Sequence, residues 1–278
     1  MPEAPQMQAL AERLEEAAGG KTLKRIEPMQ FAALKTFDPD PHTLVGRTLV
    51  SVGRRGKYLV ADFGDGLRVL VHLSQGGRVD IEDVPKTTKG KQNVVRFVFD
   101  GGPAILIKEW GHERKAGWWV LGPGDDGPLV GLGPEVTSDE FATWVRTSDD
   151  RRRVHTILRD QRSVAGIGRG YTDDSLHRAH LSPYASLASL SAEDRERLLT
   201  SIHEVLANGL ERERRRTGGL PNKLGDGWVV HNAHGQPCPV CGTTLQRVSY
   251  ESYEVTYCPT CQTDGKVLAD RRLSRLLK

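Results

Sequence analysis

Cysteine is scarce in this chain, and none of it is scattered. Only four of the 278 residues are cysteines, and all four lie between Cys238 and Cys261. No apolar run approaches the roughly 20 residues that a membrane-spanning helix needs. The first six residues, Met-Pro-Glu-Ala-Pro-Gln, lack the basic region and apolar stretch of a signal peptide. We therefore expect a cytoplasmic protein, nucleoid-associated if bacterial, whose thiols stay reduced.

Net charge is also small, at only +3, but it is unevenly distributed. Residues 151–178 carry seven arginines against three aspartates, and residues 266–278 carry five basic residues and one acidic residue. By contrast, residues 1–20 carry four glutamates and one arginine. Local positive charge on a nearly balanced chain favours a surface that binds a polyanion. The alternative is a set of solvated helix faces, which charge alone does not exclude.

The four cysteines form two C-x2-C pairs, Cys238 with Cys241 and Cys258 with Cys261, separated by sixteen residues. Two such pairs supply the four thiolates of a closed tetrahedral zinc site, which is typically structural. The residues between them are rich in β-branched and aromatic side chains, which predicts a β-hairpin. We predict one structural Zn²⁺; two disulfides are the alternative.

Periodicity predicts an α+β multi-domain protein. Met7, Leu10, Leu14 and Ala17 recur at helical spacing before Gly19-Gly20. Period-two alternation then predicts an antiparallel β-sandwich or barrel. The predicted strands are 48–54, 58–63, 67–73, 94–100, 104–110 and 118–121.

Gly and Pro concentrate in residues 122–134, which predicts a linker, and the pattern after it is helical. We expect helices through 141–145, 154–158, 176–177 and 192–216. The predicted division is a catalytic β-sandwich domain with its helix (1–121), a linker (122–136), a helix–two-turn–helix domain (137–219), and a zinc hairpin with a basic tail (220–278).

The turn Gly166-Ile-Gly168-Arg169-Gly has a physical use at the start of a helix. Glycines let backbone amides approach an anion closely, and the helix dipole adds to the attraction. With Arg162 and Arg169 beside it, the turn can clamp a DNA phosphate through the backbone at Gly168. The alternative is an ordinary glycine-rich turn between helices.

Four features occur in one order: Met1-Pro2-Glu3, Gly56-Lys57-Tyr58, Ala165-Gly-Ile-Gly168 and the terminal four-cysteine finger. In this combination the chain resembles the formamidopyrimidine-DNA glycosylase and endonuclease VIII family over essentially its whole length. The resemblance implies a monomeric DNA repair glycosylase with abasic-site lyase activity. Loss of Met1 would expose the Pro2 amine as a Schiff-base nucleophile. Glu3 would be the general acid/base, and Lys57 would contact phosphate beside the lesion.

The resemblance also implies DNA contacts from the segment that begins at His72 and from the loop that carries Arg114. Six positions depart from the family pattern, and all six lie at expected functional sites. A glutamate is replaced by Gln6, the gap-filling methionine by Gln75, the aromatic wedge by Ala116, a phosphate-binding asparagine by Arg169, a glutamate by Asp174, and the finger's phosphate-binding arginine by Tyr253.

Two other functions fit parts of the sequence. A DNA-damage binding protein with little or no base excision would keep the fold and clamps, but it has no need of Pro2 and Glu3. A zinc-ribbon scaffold or RNA binder would explain the finger and the basic tail, but not the N-terminal motif. The identity of the excised base, the opposite-base preference, duplex against single-strand preference and β against β,δ elimination stay open.

Overall fold

A computed structural model of the chain describes residues 1–111, 113–221, 227–250 and 253–269. The chain divides into two compact units, Met1–Leu132 with Gly209–Leu224 and Gly133–Asn208 with Gly225–Lys278. The finer four-part division stays a prediction. Most of the predicted basic tail, from residue 270 onward, lies outside the described residues. Within the described ranges, no helix has both the length and the apolarity to cross a membrane.

The first unit is a helix packed on a two-sheet sandwich. Helix α1 spans Ala4–Ala18. The antiparallel sheets have strand orders β1-β6-β7-β5 and β2-β3-β4-β8. The strands are β1 Leu23–Pro28, β2 Ser51–Arg55, β3 Tyr58–Asp62, β4 Arg68–His72, β5 Gly77–Glu82, β6 Asn93–Phe99, β7 Ala104–Glu109 and β8 Gly117–Leu121. Short 3-10 turns cover Phe31–Ala33, Pro41–Leu44 and Gly127–Gly131.

The predicted sandwich is confirmed, with two strands that the sequence did not reveal. All six predicted strands occur, with ends shifted by up to three residues. Strand β1 was missed because Lys24, Arg25 and Glu27 interrupt its apolar alternation. Strand β5 was missed because it follows a double glycine and alternates only Val79 and Ile81 with charged residues.

The core of this unit explains why α1 forms where it does. Met7, Leu10 and Leu14 are buried in the same cluster as residues from both sheets, including Trp118. Ala18 rather than the predicted Ala17 completes the buried face. Burial of this apolar face fixes the first turn of α1, and with it the chain's first residues, on the sandwich.

The second unit is helical and ends in the predicted hairpin. Its helices are α2 Asp139–Thr147, α3 Val154–Arg159, α4 Arg169–Arg178, α5 Ala192–Arg214 and α6 Pro259–Thr263, with a 3-10 turn at Leu187–Ser189. The last residues of α5, from Gly209, belong to the first unit. Ser138 caps α2 by accepting a hydrogen bond from the Phe141 N–H at 3.2 Å. Strands β9 Gln246–Ser249 and β10 Glu254–Tyr257 pair antiparallel.

Candidate functional site

The chain's first residues are held by a reciprocal cap on α1. The Glu3 N–H donates to Gln6 Oε1 at 3.1 Å, and the Glu3 side chain accepts from the Gln6 backbone N–H. Both side chains are buried, at 5% and 4% exposure. This is a capping box, in which glutamine serves as well as glutamate. Gln6 therefore departs from the family residue but keeps a positioning role for Glu3.

Pro2 is buried and Met1 is half-exposed, so the chain's amino terminus lies at the surface of the first unit. The charges of the terminal amino group and of Lys57 both act on His72. Burial, Lys57 and the terminal amino group, in that order, lower the pKa of His72 to about 4. His72 is therefore neutral at pH 7. Three predicted residues, Pro2, Lys57 and His72, thus belong to one neighbourhood.

The sheet β2-β3-β4-β8 positions Lys57 and His72. Lys57 follows Gly56 in the tight turn between β2 and β3, where Gly56 has a φ of +57°. Tyr58 pairs with His72 across β3 and β4, and their ring centroids are 4.7 Å apart. Lys57 is only 7% exposed, which is unusual for a lysine.

Gln75 lies exposed on a braced turn between β4 and β5. The Gly77 N–H donates to the Leu73 carbonyl at 2.7 Å and closes the turn. Arg78 Nη1 donates to the carbonyl of Gln75 at 3.0 Å and to that of Gly77 at 2.6 Å. The backbone that presents Gln75 is therefore fixed from two sides.

The loop that carries Arg114 is anchored by Glu109, a residue that the sequence reasoning did not single out. The buried Glu109 carboxylate accepts hydrogen bonds from the N–H groups of Ala116 and Gly111. The N–H of Trp110 in turn donates to the carbonyl of Gly76 at 2.9 Å, next to Gln75. Glu109 therefore braces this loop, and the Trp110 N–H ties it to the turn of Gln75.

The same loop shows where its aromatic side chain lies. Ala116 is only 3% exposed, so it does not replace the expected wedge. Trp110, at the start of the loop, is 52% exposed, with Lys108 Nζ 5.6 Å from its ring centroid. Arg114 is exposed and has a φ of +42°. A tryptophan three residues before the charged run 113–115 is the sequence signal that could have identified Trp110.

In the second unit, the glycine turn leads directly into α4. Gly168 is the N-terminal cap residue, and Arg162 and Arg169 are both exposed. Gln161 braces the turn by accepting from the Gly166 N–H at 3.0 Å and donating to the Ile167 carbonyl at 2.8 Å. The positive end of the α4 dipole lies at this turn and favours an anion there.

The four cysteines fit a zinc ion. Their sulfur atoms all lie within 4.8 Å of one another, with 3.9 Å between Cys238 and Cys261 and 3.4 Å between Cys241 and Cys258. Tetrahedral coordination with Zn–S bonds of about 2.3 Å places sulfurs roughly 3.8 Å apart. Disulfide sulfurs would lie about 2.05 Å apart, so the disulfide alternative is wrong.

Contacts from α4 support the zinc site, and the sequence reasoning missed most of them. His177 Nε2 lies 3.3 Å from Cys238 Sγ. The Asp174 carboxylate accepts three backbone N–H groups, from Val229, Val230 and His231, at 2.9 to 3.1 Å. The Asp174 side chain is shorter than the glutamate of the family pattern, and its length suits these bonds to the segment that leads into the finger.

The neighbouring Asp173 is buried and forms a hydrogen bond with a histidine of that segment. His231 Nδ1 lies 2.6 Å from Asp173 Oδ2. Burial raises the pKa of Asp173 to about 6, and the hydrogen bond with His231 opposes that rise. Two adjacent aspartates within one helix, Asp173 and Asp174, are the sequence signal that could have identified these contacts.

Tyr253 lies at the tip of the zinc hairpin. Its ring stacks on that of Tyr250, with centroids 4.4 Å apart and an interplanar angle of 14°. The Tyr250 N–H donates to the Tyr253 carbonyl at 2.7 Å. The predicted residues of the second unit thus occupy two features, the glycine turn and the hairpin tip.

Three family models match successive parts of the chain. Residues 1–110 match the formamidopyrimidine-DNA glycosylase N-terminal domain, residues 132–218 match its H2TH domain, and residues 235–263 match the zinc finger found in FPG and IleRS. The formamidopyrimidine-DNA glycosylase of Thermus thermophilus is 30% identical over 280 residues, covering 95% of this chain and 100% of that protein. The chain belongs to the formamidopyrimidine-DNA glycosylase family.

Other members of the formamidopyrimidine-DNA glycosylase family agree with this assignment. The enzyme of Symbiobacterium thermophilum is 32% identical over 98% of this chain and 93% of its own length. An uncharacterized formamidopyrimidine-DNA glycosylase-like protein of Mycobacterium tuberculosis is 43% identical, over 53% of this chain and 94% of its own length.

Solved structures of the family share the fold. The crystal structure of MutM (Fpg) from Thermus thermophilus has a TM-score of 0.77 and 28% identity, over 94% of this chain and 98% of that chain. A Lactococcus lactis Fpg complex with DNA containing an abasic site has a TM-score of 0.81, over 94% and 99%. At 23% identity, the latter likeness concerns the fold alone.

Proposed function

We propose that this protein is a DNA repair glycosylase and abasic-site lyase that uses the amine of Pro2 as its nucleophile. The observation that carries the proposal is the neighbourhood at the amino terminus. The amino group of Met1 and Lys57 both act on the half-buried His72, and Glu3 is fixed by its cap two residues from the terminus. Because its proposed substrate is DNA, we place the protein in the cytoplasm, at the nucleoid if it is bacterial.

The proposed first step is attack by the Pro2 nitrogen on C1′ of a flipped-out nucleotide. An α-amino group titrates at roughly pH 8, so an adequate fraction is unprotonated near neutrality without a separate strong base. The base leaves with the electrons of the C1′–N bond and takes up a proton. A secondary amine then forms an iminium with C1′ as the sugar ring opens, and loss of a C2′ proton expels the 3′ phosphate.

Glu3 is the proposed general acid/base for this sequence. It can protonate the ring oxygen as the sugar opens, because it is adjacent to the nucleophile in the chain. Lys57 is the proposed ligand of the phosphate beside the lesion, and its charge adds to the effect of burial in lowering the pKa of His72. A neutral His72 can donate or accept one hydrogen bond without repelling the lysine.

The remaining predicted residues are proposed to hold and distort the duplex. Gln75 and Arg114 lie exposed on two turns that the hydrogen bond from the Trp110 N–H to the Gly76 carbonyl joins, a placement suited to the space left by a flipped nucleotide. We add Trp110 as the stacking side chain of this loop, because Ala116 is buried. Arg162, Gly168 and Arg169 form the proposed phosphate clamp of the second unit.

Zinc would be held by the four thiolates and would supply structure rather than chemistry. All four cysteines are occupied as ligands in such a site, so no position is open for water or substrate. The role of the metal is to hold the hairpin tip with Tyr253 in place.

Strand cleavage of a duplex with one abasic site tests the proposal. We expect cleavage by the Met1-processed protein and a loss of at least a hundredfold in Glu3→Gln. Glu16→Gln is the matched control, because Glu16 is exposed on the same helix. If Glu3→Gln cleaved as fast as Glu16→Gln, Glu3 would have no catalytic role. Tight binding without cleavage by the wild-type protein would favour a damage-recognition protein instead.

A further inference from the structure

Four residues of the second unit form a cluster of alternating rings and guanidinium groups. They are Tyr253 and Tyr250 of the hairpin tip with Arg159 and Arg153 of the α3 region. The Arg159 Cζ atom lies 3.4 Å from the ring centroid of Tyr253, whose other side faces Tyr250. Arg159 therefore ends a three-layer stack, in which both tyrosines are held by the turn of the hairpin.

Stacking leaves the charge of Arg159 without compensation among the described residues. Its Nε atom is buried with no hydrogen-bond partner, and no described carboxylate pairs with the guanidinium. Nearby Arg152 differs, because it pairs with Asp150 at 2.7 Å and with Asp160 at 3.4 Å. The fold thus neutralises one arginine of this region and leaves another available.

Arg153 supplies a second cation at the other end of the tyrosine pair. Its Nη1 donates to the Tyr250 hydroxyl at 2.8 Å, and its Cζ lies 3.8 Å from the ring centroid of Tyr184. Between the arginines, His155 is buried against both tyrosine rings. Burial, Arg159 and Arg153 lower its pKa to about 4, so His155 adds no charge at pH 7.

We propose that Arg159, held flat on Tyr253, is a ligand of a DNA backbone phosphate, with Arg153 as a second cation of the same site. The inference rests on the proposed function, since it supplies a phosphodiester ligand to a DNA-binding protein. A guanidinium stacked through its face keeps the N–H groups of its edge for two parallel bonds to phosphate. Stacking also orders the side chain before DNA arrives, which lowers the entropy lost on binding.

The site also accounts for Tyr253 where the family resemblance expects an arginine. The cation comes from α3 instead of the finger, and the tyrosine ring holds it. Cation–π contact stabilises a guanidinium in this position. The hydroxyl of Tyr253 is then dispensable, whereas its ring is needed.

The test is a salt series of binding to a duplex containing tetrahydrofuran, an abasic-site analogue with no C1′ hydroxyl for imine chemistry. Fluorescence anisotropy gives Kd for the full chain between 50 and 200 mM salt. We compare Arg159→Gln with Arg146→Gln, a matched control whose arginine is already paired with Glu196 in the same unit. Tyr253→Phe and Tyr253→Ala separate the hydroxyl from the ring. Each variant must retain one zinc per chain and its melting temperature.

Arg159→Gln should bind about tenfold more weakly at 0.1 M salt and lower the slope of log Kd against log salt by about 0.9, one phosphate contact. Arg146→Gln and Tyr253→Phe should match the wild type, and Tyr253→Ala should resemble Arg159→Gln. If Arg159→Gln and Arg146→Gln changed Kd and the salt slope equally, the proposed phosphate site would be overturned. Weaker DNA binding by Tyr253→Phe than by the wild type would overturn it as well. If DNA binding by the wild type did not depend on salt, the proposed function would fail. If the wild type and Arg159→Gln shared the same steep slope of log Kd against log salt, only the Arg159 phosphate site would be excluded.

Discussion

The backbone N–H of Glu3 donates to Gln6 Oε1 at 3.1 Å, and the Glu3 side chain accepts from the Gln6 N–H in return. One residue of the proposed chemistry is thus positioned by a residue that departs from the family. Glutamine at this position has lost the acidity of glutamate but not its capping geometry.

Replacing Gln6 should therefore affect both stability and activity. Gln6→Ala removes one half of the capping box, so we expect the free energy of unfolding to fall by about 1 kcal/mol. Abasic-site cleavage should slow as well, because Glu3 loses its restraint. Gln6→Glu can form the same box and should retain most of the stability. Urea denaturation and a cleavage assay on all three proteins measure this, and an alanine variant that is unchanged in both would show the cap to be irrelevant.

Glu109 should control the loop that carries Arg114. Glu109→Ala leaves the buried N–H of Ala116 and the N–H of Gly111 without their acceptor, which we expect to lower stability by about 1–3 kcal/mol. Affinity for abasic-analogue DNA should fall with it. Glu113→Ala is the control, because Glu113 is exposed on the same loop and pairs with the exposed Lys115. Equal melting temperatures and affinities for the two variants would contradict the bracing role.

Stability should fall on acidification through His72. Its pKa is about 4 in the folded protein against an ordinary value of 6.5, so the unfolded chain binds more protons between these values. The stabilising effect of the neutral histidine is complete above pH 6.5 and is lost as the pH falls toward 4. Between pH 7.5 and 5 the loss should be on the order of 2 kcal/mol. Denaturant unfolding of wild type and His72→Gln at both pH values measures it; parallel losses in the two proteins would exclude His72 as the cause.

Asp174 should anchor the segment that enters the finger. Asp174→Asn keeps the size of the side chain but removes the charge and one of its two acceptor oxygens, which together accept three backbone N–H groups. We expect about 2 kcal/mol lower stability and faster loss of zinc to a chelator. Glu204→Gln is a suitable control, because its partner Arg178 is exposed. Unchanged zinc release in Asp174→Asn would leave the aspartate without a role at the finger.

Much of this architecture follows from the sequence, and the limits have physical causes. The zinc site was predictable because thiolate spacing alone defines it, and α1 because three apolar residues share one face. Strand β1 was hidden by its charged residues, which a sheet edge tolerates but periodicity does not reveal. Contacts between residues far apart in sequence, such as Trp110 with Gly76 or Arg159 with Tyr253, have no local pattern. They depend on which elements the fold brings together.

The departures from the family are also clearer in three dimensions. Gln6 keeps a cap, and Asp174 holds backbone groups that suit its length. Ala116 is buried while Trp110 is exposed on the same loop. The effect of such a substitution can be understood only from the residues around it, because a neighbouring residue can take over the role of the one that was replaced.

The central claim is that the Pro2 amine forms a covalent iminium with abasic DNA. The direct measurement is borohydride trapping of the Met1-processed protein on an abasic-site duplex, followed by trypsin digestion and mass spectrometry of the adduct. Borohydride reduces an iminium and makes the bond permanent. The account predicts an adduct on the peptide 2–13, attached at the Pro2 nitrogen. An adduct on Lys57 or another lysine, or no adduct despite tight binding of the same duplex, would contradict it.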